Sequence, residues 1–313
     1  MAGTSAHSGP GRDPLDARTG PRRTDTPRFA DRGRLLISCP DRPGIVATAA
    51  GCLHAQGANI VRSDQYTTDP VGGTFFMRVE FDLPGLAARR AALEAAFAPV
   101  AAAFGMTWRL ATAKPLSRVA LMVSREGHCV QELLWRWQLG ELPCEVIGVV
   151  SNHPDLAGAV GAFGVPYHHV PVAAEPEGKR RAEEQQATWL EGADLVVLAR
   201  YMQILSPGFV ARFPGRIINI HHSFLPAFVG GRPYEQAHAR GVKIIGATAH
   251  YVTADLDAGP IIEQDVQRVT HRDSVADMRR VGREIERAVL ARAVAWHLED
   301  RILPHGNRTV VFQ

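Results

Sequence analysis

The chain has 313 residues, 46% hydrophobic and 21% charged. That is the balance of a soluble globular protein, with length enough for two domains. No run reaches the roughly 18 apolar residues of a membrane helix. The 35 basic and 32 acidic residues leave a formal charge of +3, which gives no electrostatic argument for nucleic acid or an acidic membrane as partner. Cys39, Cys52, Cys129 and Cys144 form no C-x-x-C pair, which argues against a zinc ribbon or a disulfide framework and fits a reducing, cytoplasmic setting. The N-terminus lacks the apolar core of a secretory signal.

Residues 1–33 are Gly, Pro, Ser, Thr, Arg and Asp with almost no large apolar side chains. Such a segment buries too little to offset its ordering entropy and reads as a disordered tail. Order is expected from Arg34. Residues 34–39 read as a strand, followed by a Pro- and Gly-containing turn at 40–44. Residues 45–56 carry Ile45, Ala49, Cys52 and Leu53 at helical spacing and stop at Gly57. Two strands follow at 58–67 and 74–82, then an Ala-rich helix at 86–103 and a last strand at 106–112. The order β-α-β-β-α-β predicts a ferredoxin-like unit over 34–112.

Residues 113–117 read as a linker, and 118–313 as a second domain. Near-continuous apolar strands at 118–123, 145–150, 194–199 and 216–220 alternate with helical segments. That pattern predicts an α/β fold with a mostly parallel sheet covered on both faces, and ligands at the carboxyl ends of its strands. Further strands are expected at 243–252 and 260–268, and a helix at 273–303.

The densest chemical signal follows the strand at 216–220. Asn219 and His221 are two apart and share a strand face. An amide that steadies an oxyanion and an imidazole that moves protons then flank one spot. His222 and Ser223 follow directly. A second group comes from 246–262, where Thr248 and His250 are again two apart and Asp255 and Asp257 lie in the loop beyond. A carboxylate reaching His221 would orient the ring, and by spacing Asp255 and Asp257 are equal candidates. Zinc on His221, His222 and His250 is disfavoured, because neighbouring strand histidines point to opposite faces and H-E-x-x-H is absent. Ser223 lacks the G-x-S-x-G elbow of a hydrolase. Residues 124–128 are neither a dinucleotide fingerprint nor a P-loop. No metal or cofactor is therefore expected.

These residues resemble the folate-dependent formyltransferase fold. The resemblance rests on Asn219 with His221, on Leu225-Pro226-Ala227-Phe228, and on His250 followed by Leu256-Asp257-Ala258-Gly259-Pro260. It implies a Rossmann-like catalytic domain whose catalytic set is Asn219, His221 and Asp257. The stretch Ala199 to Ser206 resembles the pterin-binding loop. It implies a folate pocket around Met202, Gln203, Ile204 and Leu205, with His250 in the same substrate-binding set. Within that family the chain is similar to the formyltetrahydrofolate deformylases, through the N-terminal unit and the strings Ser124 to Cys129 and Asn219 to Phe224. Glu126 stands where a nucleotide-using relative would hold a phosphate, and it would repel one.

The N-terminal unit resembles an ACT domain, a regulatory module, through Asp41 to Gly44 and Gly57 to Ile60. That implies candidate effector contacts at Asp41, Gly44 and Asn59 and a small amino-acid effector such as glycine or methionine. Turn geometry alone would equally require Gly44 and Asn59. ACT pairing further implies a homo-oligomer. The implied activity is hydrolysis of formyltetrahydrofolate to tetrahydrofolate and formate. The alternatives are formyl transfer to an amine acceptor, or an amino-acid-binding regulatory protein whose second domain is inactive.

Overall fold

A computed structural model describes residues 31–112, 115–227 and 232–313. The reading of residues 1–30 as a disordered tail, and Phe228 in the motif above, lie outside them. The first unit runs β1 (Arg32–Pro40), α1 (Ile45–Ala55), β2 (Asn59–Thr67), β3 (Thr74–Asp82), α2 (Leu86–Phe104) and β4 (Thr107–Thr112). Its sheet is ordered β2-β3-β1-β4, with β1 antiparallel to both neighbours. β1 begins at Arg32, two residues before the expected start. The Arg32 guanidinium is held there by Asp82 at the end of β3, with Nε donating to Oδ1 at 2.9 Å and Nη2 to Oδ2 at 3.0 Å. Leu35, Ile37 and Cys39 alternate toward α1 and α2, where they meet Met77, Val79, Leu93 and Phe97 in one core.

The second unit begins with β5 (Ser117–Val123), so Ser117 is strand and not linker. It continues through α3 (His128–Gln138), β6 (Cys144–Ser151), α4 (Ala157–Gly161), β7 (Tyr167–His169) and α5 (Pro176–Trp189). Then come β8 (Leu195–Leu198), α6 (Pro207–Val210), β9 (Ile217–His221), α7 (Pro233–Arg240), β10 (Ile244–Tyr251), β11 (Ile261–Arg268) and α8 (Val275–Leu298). The sheet is ordered β11-β10-β9-β8-β5-β6-β7. Its β9 to β7 portion is parallel, while β10 runs antiparallel to β9 and β11. Alternate residues of the parallel strands enter two cores. Val119, Leu121, Leu195 and Val197 face α3 and α8, and Ala120, Met122, Val196 and Leu198 face α5 and α6. The chain lays β6 and β7 on one side of β5 and then returns to lay β8 and β9 on the other. The switch point, where such sheets receive ligands, is therefore between the carboxyl ends of β5 and β8.

The helix expected over 273–303 ends sooner. Ser274 caps α8 with a reciprocal bond to Asp277. The helix stops at Leu298, and the chain makes a hairpin of β12 (Ile302–His305) and β13 (Arg308–Val311). This hairpin covers the second face of the ACT-like sheet. Leu303 and Phe312 pack with Leu36 and Phe76, the residues of β1 and β3 that point away from α1 and α2. Beside them Arg78, only 2% exposed, donates from Nε to the Asp300 carbonyl and from Nη2 to the Glu299 carbonyl, both at 3.0 Å. Arg34 and Arg109 hold the two Asp300 carboxylate oxygens at 3.2 and 2.6 Å. The end of α8 is thus clamped onto the first unit. Among the described residues, no helix is long and apolar enough to cross a membrane.

Arg78→Ala should strip the Glu299 and Asp300 carbonyls of their guanidinium donor and leave the Glu80 carboxylate to Arg32 and Arg34. A loss of about 3 kcal/mol is expected, visible as a lower Tm in scanning calorimetry. An unchanged Tm would show that the clamp contributes nothing.

Candidate active site

β9 and β10 pair so that His221 lies opposite Thr248 and Asn219 opposite His250. The antiparallel register brings four polar side chains from two strands to one patch at the carboxyl end of β9. Thr248 does structural work within it. Its hydroxyl donates to the Ser223 carbonyl at 2.9 Å and accepts from the Leu225 N–H at 3.0 Å. The loop after the His221–His222 pair is thereby fixed to β10, with the Leu225–Pro226 peptide cis.

The carboxylate comes from the loop between β10 and β11. Asp257 Oδ2 is 3.3 Å from His221 Nδ1, and Oδ1 is 3.7 Å from His250 Nε2. Asp255 is exposed, and its carbonyl accepts from Thr253 Oγ1 at 3.1 Å within the turn. The geometry therefore separates two aspartates that spacing left equal. Two backbone features aim Asp257. Its own φ of +52° is left-handed, a conformation that costs a non-glycine residue of order 1 kcal/mol and collects at functional sites. Gly259 lets the loop double back, since an added Cβ there would lie 1.8 Å from the Tyr251 carbonyl oxygen.

His250 is 2% exposed. Its Nδ1 is 2.9 Å from the Tyr251 carbonyl, which can only accept, so Nδ1 carries the proton. Its Nε2 then accepts from Asn219 Nδ2 at 3.2 Å. Burial holds the ring below its ordinary value, against the opposing pull of Asp257. Both nitrogens thus face partners within the protein, and His250 steadies the Asn219 amide. His221 is different: its Nδ1 faces Asp257, while its Nε2 is buried and without a partner among the described residues. The His221 contact holds the Asp257 carboxyl below the usual aspartate range although burial acts to raise it.

Met202, Gln203, Ile204 and Leu205 lie in the loop between β8 and α6. The Met202 N–H donates to Ser124 Oγ at 2.9 Å, which draws this loop to the end of β5. Met202 and Ile204 are 53% and 60% exposed, as are Phe224 at 39% and Leu256 at 57%. Large apolar side chains left in solvent beside a polar centre suit a flat, apolar ligand. Asp41, Gly44 and Asn59 belong to the first unit. Gly44 caps α1 at φ +96°, the Asp41 N–H donates to the Gly73 carbonyl at 2.9 Å, and Asn59 opens β2, exposed and opposite Asp82.

Sequence reasoning missed a second polar cluster. Arg200, Glu286, His128 and Tyr234 meet beside the site from four separate elements. His128 Nε2 and Tyr234 Oη lie 2.8 and 2.7 Å from the two Glu286 oxygens. Burial would raise the Glu286 carboxyl, but the His128 bond and the Arg200 charge outweigh it and hold it down. The donor atoms of His128, Cys129 and Glu286 lie within 4.8 Å of one another. However, Arg200 faces the same carboxylate at 3.3 Å, and burial pushes the Cys129 thiol well up. This is the chemistry of an ion-pair network, not of a metal centre.

Residues 33–98 match the ACT domain family and residues 117–294 the formyl transferase family. The chain is 55% identical to the formyltetrahydrofolate deformylase of Bacillus subtilis (strain 168), over 90% of this chain and 94% of that one. The chain belongs to the formyltetrahydrofolate deformylase family. A crystal structure of the family member from Pseudomonas syringae superposes with a TM-score of 0.85 at 49% identity, covering 90% of this chain and 95% of that one. Glycinamide ribonucleotide transformylase 1 from Symbiobacterium toebii is similar more distantly. It has a TM-score of 0.59 at 33% identity, over 63% of this chain and 95% of its own. The deformylase family thus shares its catalytic-domain fold with transferases.

Burial holds two imidazoles, His222 at the site and His297 under β10, down to about 4 from an ordinary 6.5. Arg200 adds to the effect on His222. Each ring takes up its proton more readily in the unfolded chain, so stability should be constant above about pH 6.5 and fall as pH drops toward 4. A shift of that size is worth up to about 3 kcal/mol per ring. Urea titrations between pH 7.5 and 4 test this. His222→Gln with His297→Gln should flatten the decline, and an equally steep decline would contradict the assignment.

Proposed function

We propose that this chain hydrolyses formyltetrahydrofolate to tetrahydrofolate and formate. The observation that carries the reading is the His221 ring, braced at Nδ1 by Asp257 and left free at Nε2, with the Asn219 amide two residues away on the same strand face. The names of its relatives supply the substrate.

In this reading the folate ring lies against the loop of Met202, Gln203, Ile204 and Leu205, and the formyl group reaches the end of β9. His221 Nε2 takes a proton from water as the water oxygen attacks the formyl carbon. Asp257 keeps the ring oriented and stabilises the charge it gains. Asn219 uses the amide N–H not engaged by His250 to stabilise the oxygen that becomes anionic, a contribution of about 3–4 kcal/mol. The carbon–nitrogen bond then breaks. The proton on His221 passes to the leaving nitrogen, and formic acid loses its own proton to water. Water is the only co-reactant. The ACT match supports a regulatory role for the first unit, with Asp41, Gly44 and Asn59 as contacts for a small amino acid.

The test is formate release by the purified protein from formyltetrahydrofolate with no amine present, with and without glycine or methionine. His221→Ala and Asp257→Ala should each lose roughly 10³-fold or more in kcat. Asn219→Ala should lose about 10²- to 10³-fold. Near-wild-type turnover in a folded His221→Ala or Asp257→Ala protein would remove the assignment.

A further inference from the structure

The network around Glu286 occupies the place where this sheet should receive a ligand. The Ser124 N–H donates to the Arg200 carbonyl at 3.2 Å, tying the end of β5 to the end of β8 across the switch point. Arg200 sits there with a left-handed φ of +65°, and its side chain is buried. Its Nε is 3.3 Å from Glu286 Oε2 but poorly aligned for a hydrogen bond, and its Nη2 is 3.8 Å from Glu126. Its Nη1 is sealed from solvent with no partner among the described residues. Glu286, 1% exposed, reaches in from α8 to meet His128 and Tyr234.

Tyr234 has a dedicated place. An added Cβ on Gly282 would lie 1.9 Å from its hydroxyl oxygen. Glycine weakens a helix interior, so its position one turn before Glu286 follows from the room the tyrosine needs. The network also abuts the catalytic residues. The His222 ring lies 5.3 Å from that of His221 and 6.3 Å from that of Tyr234. The crevice beside the catalytic histidine is therefore filled by side chains whose charges compensate one another. Moving one of them would leave a buried charge unpaired.

Proteins named as glycinamide ribonucleotide transformylases share this fold, so the fold alone does not bar an amine acceptor. The bar must come from side chains. We propose that Arg200, Glu286, His128 and Tyr234 together close the acceptor side of the site, so that water and not an amine receives the formyl group. This rests on the hydrolytic reading above and names the residues that set its specificity.

The experiment supplies glycinamide at rising concentration with formyltetrahydrofolate and measures formate and N-formylglycinamide together. In transfer, the amine nitrogen would attack the formyl carbon, the bond to the folate nitrogen would break, and the amine's proton would pass to that nitrogen. The wild type should make formate alone at every concentration. The double variant Arg200→Gly with Glu286→Ala removes both charges and keeps a residue that accepts the left-handed backbone. Tyr234→Ala opens the same crevice and keeps both charges, removing only the hydroxyl that donates to Glu286. Each should form N-formylglycinamide at a ratio to formate at least tenfold above the assay background that the wild type sets. The proposal is overturned if the wild type forms N-formylglycinamide in proportion to the amine, or if the ratio in both variants stays at the wild-type value. A wild type that releases no formate removes the hydrolytic reading and this inference with it. N-formylglycinamide from a wild type that does release formate removes this inference alone.

Discussion

Asp257 faces the imidazoles of both His221 and His250, and its position depends on backbone that resists relaxation. Left-handed dihedrals at Asp257 and the tight return at Gly259 turn a loop carboxylate inward beneath β9 and β10. Its two oxygens then divide their attention between His221 and His250. On one side the carboxylate braces the ring with the free nitrogen. On the other it stands behind the histidine that steadies Asn219. The His221 ring and the Asn219 amide, the acid–base group and oxyanion donor of the proposed mechanism, thus share a common anchor, and their separation is fixed by the register of two paired strands. Geometry of this kind is held before the substrate arrives, which is what makes polar groups effective in catalysis.

α8 connects this centre to the rest of the molecule. Its 24 residues span about 36 Å at 1.5 Å per residue. Glu286 near its middle organises the filled crevice beside His222. His297 near its end bonds the Tyr251 hydroxyl at 2.8 Å, and the Glu299 and Asp300 carbonyls just beyond it are gripped by Arg78 of the first unit. A cation at a helix carboxyl end also suits the helix dipole. The two units therefore share one helix, and the C-terminal hairpin seals the join with Leu303 and Phe312.

The features legible in the sequence were local ones. The β-α-β-β-α-β order, the parallel apolar strands and the shared face of Asn219 and His221 all follow from periodicity. The resemblance selected Asp257, where spacing had left Asp255 its equal. What stayed hidden depends on distant partners. Arg and Glu alternate along 279–287 in the manner of a solvated helix face, yet Glu286 is among the most buried residues, because Arg200, His128 and Tyr234 lie far from it in sequence. Residues 302–311 carry too short an apolar run to announce a hairpin, and their strand character comes from packing on Leu36 and Phe76. Arg32 joins β1 because Asp82, fifty residues on, binds it.

In the proposed mechanism Asp257 holds the His221 ring through Nδ1 and leaves Nε2 free for the reacting water. The most direct measurement is nitrogen-edited NMR of the His221 ring in the wild type and in Asp257→Asn. A hydrogen-bonded Nδ1 proton, shifted far downfield, is expected in the wild type, and its loss in a folded Asp257→Asn protein. The same resonance in both proteins would contradict it.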